Sequence, residues 1–223
     1  MSTPIRVLLV DDDPLVRSAL AMMLEGTTTV RVVGEASDGA EVPAAVDAHR
    51  PDVVLMDIRM PRVDGLTATE RLRSRKDTPA GAPEVIVLTT FDADDQVVRA
   101  LRVGAGGFLL KDTPPAEIVR AIELVAAGEA MLSPTVTRKL IEHVADPEVE
   151  DRRGRAKTLL AELTERELEV AVALGQGKSN AEIGAELYMS VATVKAHVSK
   201  VLQKLDLNNR VQVALLAHDA GLT

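Results

Sequence analysis

The sequence has no cysteine and no tryptophan, and its only aromatic residues are Phe91, Phe108 and Tyr188. Without cysteine, the chain cannot form a disulfide framework, a thiolate zinc site or a cysteine nucleophile. Three aromatic side chains are too few for a broad surface that stacks on single-stranded nucleic acid. No stretch approaches the roughly 18 uncharged apolar residues of a membrane helix. We therefore expect no membrane segment and a cytoplasmic location.

The 223 residues are 46% hydrophobic and 27% charged, which is typical of a soluble globular protein with one or two domains. A formal net charge of −8 argues against a nucleic-acid partner only if the charge is spread evenly along the chain. Most of the acidic excess instead lies in residues 1–132. Residues 188–210 form a local basic stretch, with Lys195, Lys200, Lys204 and Arg210 against Asp206 alone.

The first 127 residues alternate short β-branched runs with longer segments of helical periodicity. The predicted strands are residues 5–10, 30–33, 53–56, 85–88 and 107–110, and the predicted helices are residues 14–24, 39–49, 66–74, 94–103 and 115–127. Asp13 and Thr113 each precede a proline and are predicted to cap the first and fifth helices. Five such units with near-continuous apolar strands predict an α/β fold with a doubly wound, parallel five-stranded sheet.

The chain changes character after residue 127. Gly128 ends the last helix of the α/β part, and a further helical segment is predicted near residues 135–144. Residues 145–157 are dense in charge and are predicted to form an exposed linker. Residues 158–223 are predicted to form a small all-α domain, with helices near residues 165–174, 180–187, 191–205 and 209–219. The predicted divisions are therefore residues 1–127, 128–157 and 158–223.

Acidic and polar side chains follow the predicted strands at the points where the strands end. Asp11, Asp12 and Asp13 follow the first strand, Asp57 the third, Thr89 the fourth and Lys111 the fifth. Because the carboxyl ends of parallel strands share one sheet edge, we expect these groups to converge there, apart from the helix-capping Asp13. Clustered carboxylates without histidine or cysteine suit Mg²⁺. Asp57 is the candidate nucleophile toward a phosphoryl group, which Thr89 and Lys111 would stabilise.

Several motifs in residues 1–127 resemble the receiver domain of bacterial two-component response regulators, which has a flavodoxin-like fold. They are Val7-Leu8-Leu9-Val10-Asp11-Asp12, Asp57-Ile58-Arg59-Met60-Pro61, Asp64-Gly65, Leu88-Thr89 and Gly104-Ala105-Gly106-Gly107-Phe108 with Lys111. The resemblance implies that a phosphohistidine of a sensor kinase phosphorylates Asp57. It implies a Mg²⁺ site made by Asp11, Asp12, Asp57 and the backbone carbonyl near Arg59. Thr89 and Phe108 match the family's switch pair.

The segment Val191–Leu205 has the pattern of a helix with one buried apolar face. Val191, Val194, Val198, Val201, Leu202 and Leu205 share that face, and Ala196, Lys200 and Gln203 point away from it. A three-residue turn with Ser190 as helix cap joins the segment to the helix at residues 180–187, as in a helix-turn-helix unit. On periodicity alone, an ordinary helical bundle remains the alternative.

Residues 160–223 resemble the LuxR-type helix-turn-helix domain. The matching residues include Leu163-Thr164, Arg166-Glu167, Ser179-Asn180, Glu182-Ile183, Thr193-Val194-Lys195, His197-Val198, Lys204-Leu205 and Asn209-Arg210. The resemblance implies that Lys195, Ala196 and Ser199 face the DNA groove and that Thr193, Lys200 and Lys204 reach phosphates. In the last helix, Val211, Ala214, Leu215 and His218 match the family's dimer surface. Packing within the domain is the alternative role for these four residues.

Joined to a receiver, this domain indicates the NarL/FixJ class of response regulators. The predicted function is a DNA-binding transcription regulator, not an enzyme, that dimerises when a sensor histidine kinase phosphorylates Asp57. Its expected partners are promoter DNA, the kinase, a second copy of the chain and RNA polymerase. Two alternatives remain at this point. One is a Mg²⁺-dependent phosphohydrolase, although Arg59 occupies the position of its second acid, and the other is a regulator that works without phosphate.

Overall fold

The computed structural model describes residues 3–75, 82–89, 94–132 and 149–223. The chain divides into two compact units, residues 1–137 and 138–223, which are described separately below. Of the helices in the described ranges, none combines the length and the apolar character needed to span a membrane.

The first unit is built on one parallel sheet. Its strands are β1 (Ile5–Val10), β2 (Val30–Ala36), β3 (Val53–Asp57), β4 (Glu84–Thr89), β5 (Gly107–Leu110) and β6 (Met131–Leu132). Their order across the sheet is β2-β1-β3-β4-β5-β6, and every neighbouring pair is parallel. The chain order reverses between β1 and β3, which in such sheets opens a crevice at their carboxyl ends.

The sheet confirms the five predicted strands and adds the short strand β6. The backbone of Met131 pairs with Gly107 and that of Leu132 with Phe108. A strand of two residues is too short to show a periodic pattern of apolar side chains, so the sequence could not identify β6 in the way that it identified the other strands. Part of the predicted segment 128–157 therefore belongs to the sheet.

Five helices cover the sheet of the first unit: α1 (Pro14–Glu25), α2 (Val42–His49), α3 (Gly65–Arg73), α4 (Asp94–Arg102) and α5 (Pro115–Ala126). Asp13 caps α1 as predicted, because its carboxylate accepts a hydrogen bond of 2.8 Å from the backbone N–H of Leu15. The predicted cap at Thr113 is wrong. The fifth helix begins at Pro115, as predicted, so the capping position belongs to Pro114, which has no side-chain acceptor, and not to Thr113.

Burial on both faces of the sheet explains why the strand sequences are nearly continuous runs of apolar residues. Strands β3 and β4 are buried along almost their whole length, and helix α5 packs Ile118 and Ile122 onto the same core as Leu55 and Ile86. A parallel sheet covered on both faces needs apolar side chains on both, so alternation disappears from its central strands.

The second unit consists of helices α6 (Val149–Leu160), α7 (Glu165–Gly175), α8 (Asn180–Glu186), α9 (Val191–Lys204) and α10 (Arg210–Asp219). The four helices predicted for this domain are confirmed. The exposed linker predicted for residues 145–157 is wrong from residue 149 onward, because α6 buries Ala156 and Leu160 in the domain core. Two apolar contacts among charged neighbours are too sparse to produce a visible helical pattern. The helix predicted near residues 135–144 and residues 145–148 lie outside the described residues.

Side-chain caps mark the starts of α7, α8 and α9 in the second unit, and the one at Ser190 was predicted. Thr164 and Glu167 form a complete capping box at α7, as do Ser179 and Glu182 at α8. Ser190 caps α9 by accepting a hydrogen bond of 3.1 Å from the backbone N–H of Thr193. Each of these helices therefore begins where its own local sequence satisfies the free backbone N–H groups.

Glu167 has a second role that its local sequence does not reveal. Its buried carboxylate accepts a hydrogen bond of 2.6 Å from Nζ of Lys204, a residue 37 positions further along the chain. The hydrogen bond from Lys204, together with the backbone N–H of Thr164, lowers the pKa of Glu167 from 4.5 to about 2. This carboxylate therefore joins the start of α7 to the end of α9.

The low pKa of Glu167 predicts a stability contribution that depends on pH. A carboxylate that titrates at about 2 in the folded chain and at 4.5 in the unfolded chain stabilises the fold fully above pH 4.5, and this stabilisation is lost as the pH falls toward 2. Urea unfolding followed by circular dichroism should show Glu167→Gln less stable than wild type near neutral pH. The difference should shrink steadily on acidification.

Glu169→Gln is the matched control for this experiment. Glu169 is only partly buried and pairs with Arg166 three residues away on the same helix, an arrangement that contributes little to stability. A difference between wild type and Glu167→Gln that stayed constant from pH 6 to about pH 2 would contradict the ion pair as its source.

Candidate functional site

Three carboxylates meet at the carboxyl edge of the sheet. Asp11 and Asp12 follow β1, and Asp57 is the last residue of β3, the strand beside it. One oxygen atom from each of the three lies within 4.8 Å of the others. The side chains of Asp11 and Asp57 are buried, whereas that of Asp12 is exposed. The predicted convergence of these groups is therefore present in the folded chain, with Asp12 on the solvent side.

Lys111 lies between the two buried carboxylates. Its Nζ is 2.7 Å from Oδ2 of Asp11 and 2.9 Å from Oδ1 of Asp57. Burial favours the neutral amine, but the hydrogen bonds to Asp11 and Asp57 outweigh it, and the pKa of Lys111 is raised above its usual value. The ammonium therefore stays charged and holds both acids in place.

Burial raises the pKa of the Asp57 carboxyl, and the ion pair with Lys111 only partly opposes this effect. The charge of Asp11 raises it further. The second oxygen of Asp57, Oδ2, accepts a hydrogen bond of 3.1 Å from the backbone N–H of Arg59. The ammonium of Lys111 pairs with two of the three carboxylates, so the site retains an excess of negative charge that a cation would neutralise.

Thr89 lies on β4, the strand next to that of Asp57, and Phe108 lies on β5, one strand further away. Thr89 ends β4 and is buried, and its carbonyl accepts a hydrogen bond of 2.8 Å from the backbone N–H of Lys111. Phe108 is 1% exposed and lies opposite Val87 in the register of β4 and β5. The structure therefore brings Thr89 to the same sheet edge as Lys111, while Phe108 is part of the core.

Asp38 anchors the loop that follows Asp57, a role that the sequence analysis missed. Its carboxylate is 2% exposed and accepts hydrogen bonds from the backbone N–H groups of Ala40, Arg62 and Val63 at 2.9, 2.9 and 3.2 Å. Two of these donors belong to the loop between β3 and α3. The only signal in the sequence is an Asp-Gly pair after β2, which by itself indicates nothing more than a turn.

Gly65 brings α3 into direct contact with the backbone of Asp57. A Cβ atom at this position would lie 1.9 Å from the carbonyl oxygen of Asp57. The N–H of Gly65 donates a hydrogen bond of 2.9 Å to the carbonyl of Ile58, and Asp64 caps the helix by accepting from Thr67. The Asp-Gly pair quoted above for the receiver resemblance thus fixes the start of α3 against the end of β3.

The exposed face of α9 forms the second candidate site. All six residues predicted to contact DNA are exposed: Thr193, Lys195, Ala196, Ser199, Lys200 and Lys204. The opposite face is buried, with Val194, Val198 and Val201 in the domain core. Val191 was predicted to share that core, but it is the first residue of α9 and is 46% exposed.

The cations on α9 are not equivalent. Lys204 is paired with the buried carboxylate of Glu167, whereas no ion pair to Lys195 or Lys200 occurs within the described residues. In α10, Val211 is buried within its own domain, and His218 is exposed. Ala214 and Leu215 are half-buried, so the predicted dimer surface is partly used for internal packing.

Comparison with known proteins identifies both units. Residues 7–123 match the response regulator receiver domain, and residues 161–217 match the luxR family of bacterial regulatory proteins. The chain is 42% identical over 217 residues to the transcriptional regulatory protein LiaR of Bacillus subtilis (strain 168), a match that spans 96% of this chain and 97% of LiaR. The chain is a DNA-binding two-component response regulator of the LuxR family.

Other relatives of this chain are also response regulators. The response regulator protein VraR of Staphylococcus aureus (strain NCTC 8325 / PS 47) is 34% identical, with 98% of each chain covered. The crystal structure of the response regulator ChrA from a heme-sensing two-component system is 35% identical, with a TM-score of 0.53 and 99% of each chain covered. A structure of RcsB dimers bound to DNA is 22% identical, with a TM-score of 0.56, and supports the fold alone.

These matches confirm the predicted receiver and LuxR-type domain and the predicted fold class. They favour a transcription regulator over the phosphohydrolase alternative, since both matched families are regulatory. The response regulator carries the acidic cluster in the receiver and the exposed basic face in the helix-turn-helix domain. The roles of the individual site residues remain predictions.

The close approach of Gly65 predicts that this response regulator tolerates no side chain there. In Gly65→Ala, the new methyl group meets a backbone carbonyl that cannot rotate away, so α3 and Asp57 must separate. We expect a loss of about 1–3 kcal/mol in the free energy of unfolding, measured by urea denaturation. Gly26→Ala in the same unit is the control, because the nearest atom to its Cβ is 3.9 Å away. Equal stability of the two variants would refute the packing argument.

Proposed function

We propose that phosphorylation of Asp57 by a sensor histidine kinase switches DNA binding by this response regulator. The observation that carries the proposal is the contact between Asp57, Asp11 and Lys111 at the sheet edge, with Asp12 on its solvent side. A buried carboxylate held by an ammonium, beside a further acid open to solvent, is arranged to receive an anionic phosphoryl group.

The proposed reaction is transfer of a phosphoryl group from a kinase phosphohistidine. A carboxylate oxygen of Asp57 attacks phosphorus, the phosphorus–nitrogen bond breaks, and its electron pair leaves with the imidazole. The product is an acyl phosphate on Asp57 and a free histidine on the kinase. Lys111 already contacts an Asp57 oxygen and would share the charge of the attached group. The backbone N–H of Arg59 holds the other carboxylate oxygen.

The donor set suits Mg²⁺. Asp11, Asp12 and Asp57 offer only oxygen atoms, these atoms lie close together, and one ammonium leaves their charge incompletely balanced. We propose that these three residues and the backbone carbonyl of Arg59 hold the ion. When bound, Mg²⁺ would neutralise charge on the phosphoryl oxygens and orient them.

Thr89 and Phe108 are the proposed relay from the phosphoryl group to the rest of the chain. Thr89 would move toward the phosphoryl group and donate a hydrogen bond from its hydroxyl to a phosphoryl oxygen. Phe108 would then turn into the space that Thr89 vacates. The active form would be a dimer that reads paired half-sites about one DNA turn apart, with α10 contributing to its interface. Changing the active population from 1% to 99% requires about 5.5 kcal/mol of differential stabilisation.

Phosphorylation predicts a mass change that depends on Asp57. Incubation of the full chain with Mg²⁺ and a small phosphoryl donor should add one phosphate-sized increment to wild type and none to Asp57→Asn, as read by intact mass spectrometry. Sedimentation should show dimers only in the modified sample. Addition of a chelator before the donor should abolish both changes.

The outcome also separates this proposal from a phosphate-independent regulator. If wild type gained no phosphate from a small donor or from any sensor kinase tested, and if Asp57→Asn bound the same DNA equally well, the phosphate-independent alternative would be correct. Control would then act through a protein partner on the receiver surface.

The different pairing of the lysines on α9 predicts different effects on DNA affinity. Lys200→Ala should reduce the slope of log affinity against log salt concentration by about 1, since one phosphate contact is lost. Lys204→Ala should change the slope less and should destabilise the domain, because Glu167 loses its partner. Lys157→Ala, an exposed lysine on α6, is the control. Equal slope changes for Lys200→Ala and Lys204→Ala would contradict this distinction.

A further inference from the structure

Tyr188 is a large aromatic residue that the domain leaves in solvent. It lies in the turn between α8 and α9, and 95% of its surface is exposed, more than for any other large hydrophobic residue of the described chain. It is also the only tyrosine of the chain. Its packing therefore contributes almost nothing to the domain core.

The backbone of Tyr188 is in a conformation that bulky residues rarely adopt. Its φ angle is +55°, in the left-handed region where glycine, asparagine and aspartate are the usual occupants. A glycine would fit the turn without steric cost, and the exposed ring gives no compensation inside the domain. A bulky residue in this conformation points to a role outside the domain's own packing.

The turn around Tyr188 is held on both sides. On one side, the carbonyl of Leu187 accepts a hydrogen bond from Nη2 of Arg166. On the other, the N–H of Met189 donates a hydrogen bond of 2.8 Å to the carbonyl of Gly184. A Cβ at Gly184 would lie 2.7 Å from the carbonyl oxygen of Met189, so the turn lies directly against α8. Tyr188 is therefore presented from a well-defined position.

The neighbours of Tyr188 belong to the predicted DNA-binding face. Thr193 and Lys195 follow it within seven residues, and both are exposed. Helix α9, which follows Tyr188, contains lysines and no acidic residue, and the exposed Glu186 before Tyr188 is paired with Lys178. The positive charge of α9 matches the phosphate backbone of DNA better than it matches an apolar protein surface.

We propose that Tyr188 contacts double-stranded DNA beside the groove that α9 enters. Its phenol hydroxyl would donate a hydrogen bond to a phosphate oxygen, and its ring would pack on the adjoining sugar. A contact of this kind fixes the position of α9 on the duplex without reading base identity. The proposal goes beyond the phosphorylation switch, because it concerns the bound complex and not the trigger.

The single tyrosine allows a direct test on the full chain. Protein with 3-fluorotyrosine in place of tyrosine has one ¹⁹F resonance, which reports on Tyr188 alone. The probe is a random-sequence duplex of about three helical turns, added at low salt until the anisotropy of a labelled copy shows saturation. We expect the resonance to shift and to lose its accessibility to a soluble paramagnetic agent when the duplex binds.

Substitutions separate the ring from the hydroxyl and from the fold. Tyr188→Ala should weaken affinity for the duplex about threefold to tenfold without changing the melting temperature. Tyr188→Phe should weaken this affinity less, because it keeps the ring and loses only the hydroxyl. Tyr188→Gly removes the side chain and relaxes the backbone, so it should bind as weakly as Tyr188→Ala while melting no earlier than wild type. Leu222→Ala, an exposed apolar residue of the same unit, is the control and should bind like wild type.

Two results would overturn the proposal. The first is an unchanged ¹⁹F resonance on the saturated duplex together with wild-type affinity of Tyr188→Ala. The second is a resonance that shifts on dimerisation in the absence of DNA and does not change further when the duplex is added, which would place Tyr188 in a protein interface. A failure of the phosphorylation experiment would not affect the first result, because saturation of the duplex at low salt is measured directly.

Discussion

The receiver depends on one geometric constraint, namely that parallel strands end at the same edge of their sheet. Because β1 and β3 are neighbours, Asp11 and Asp57 are brought close enough to repel each other strongly at low dielectric. Lys111, which follows β5, makes this arrangement stable by pairing with both. The loop beyond Asp57 is then held by the carboxylate of Asp38 and by the close approach of Gly65.

In the helix-turn-helix domain, a single buried carboxylate has a comparable role. Glu167 completes the capping box of α7 and also binds the ammonium of Lys204 at the end of α9. The helix that carries the predicted DNA-binding residues is therefore positioned by an ion pair as well as by its apolar face. This arrangement removes Lys204 from the set of freely available cations and leaves Lys195 and Lys200 as the stronger candidates for DNA.

The receiver and the exposed face of α9 carry charges of opposite sign. The acidic excess of the chain lies mostly in the receiver, and the exposed face of α9 has lysines without acids. An acidic receiver on the same chain disfavours nonspecific binding to DNA, whose affinity is dominated by phosphate contacts. The turn at Tyr188, which is hydrogen-bonded to Arg166 on one side and to Gly184 on the other, fixes where α9 begins.

Local sequence determined the five main strands, nine of the ten described helices, the caps at Asp13 and Ser190, and the acids at the strand ends, because each depends on residues a few positions apart. Tertiary structure alone decided which partners Lys111 and Lys204 have, that Asp38 supports the loop after Asp57, and that β6 and α6 form. It also decided that Val191 and Tyr188 are exposed. These features arise from contacts between residues distant in sequence, and no periodicity or capping rule within one segment contains that information.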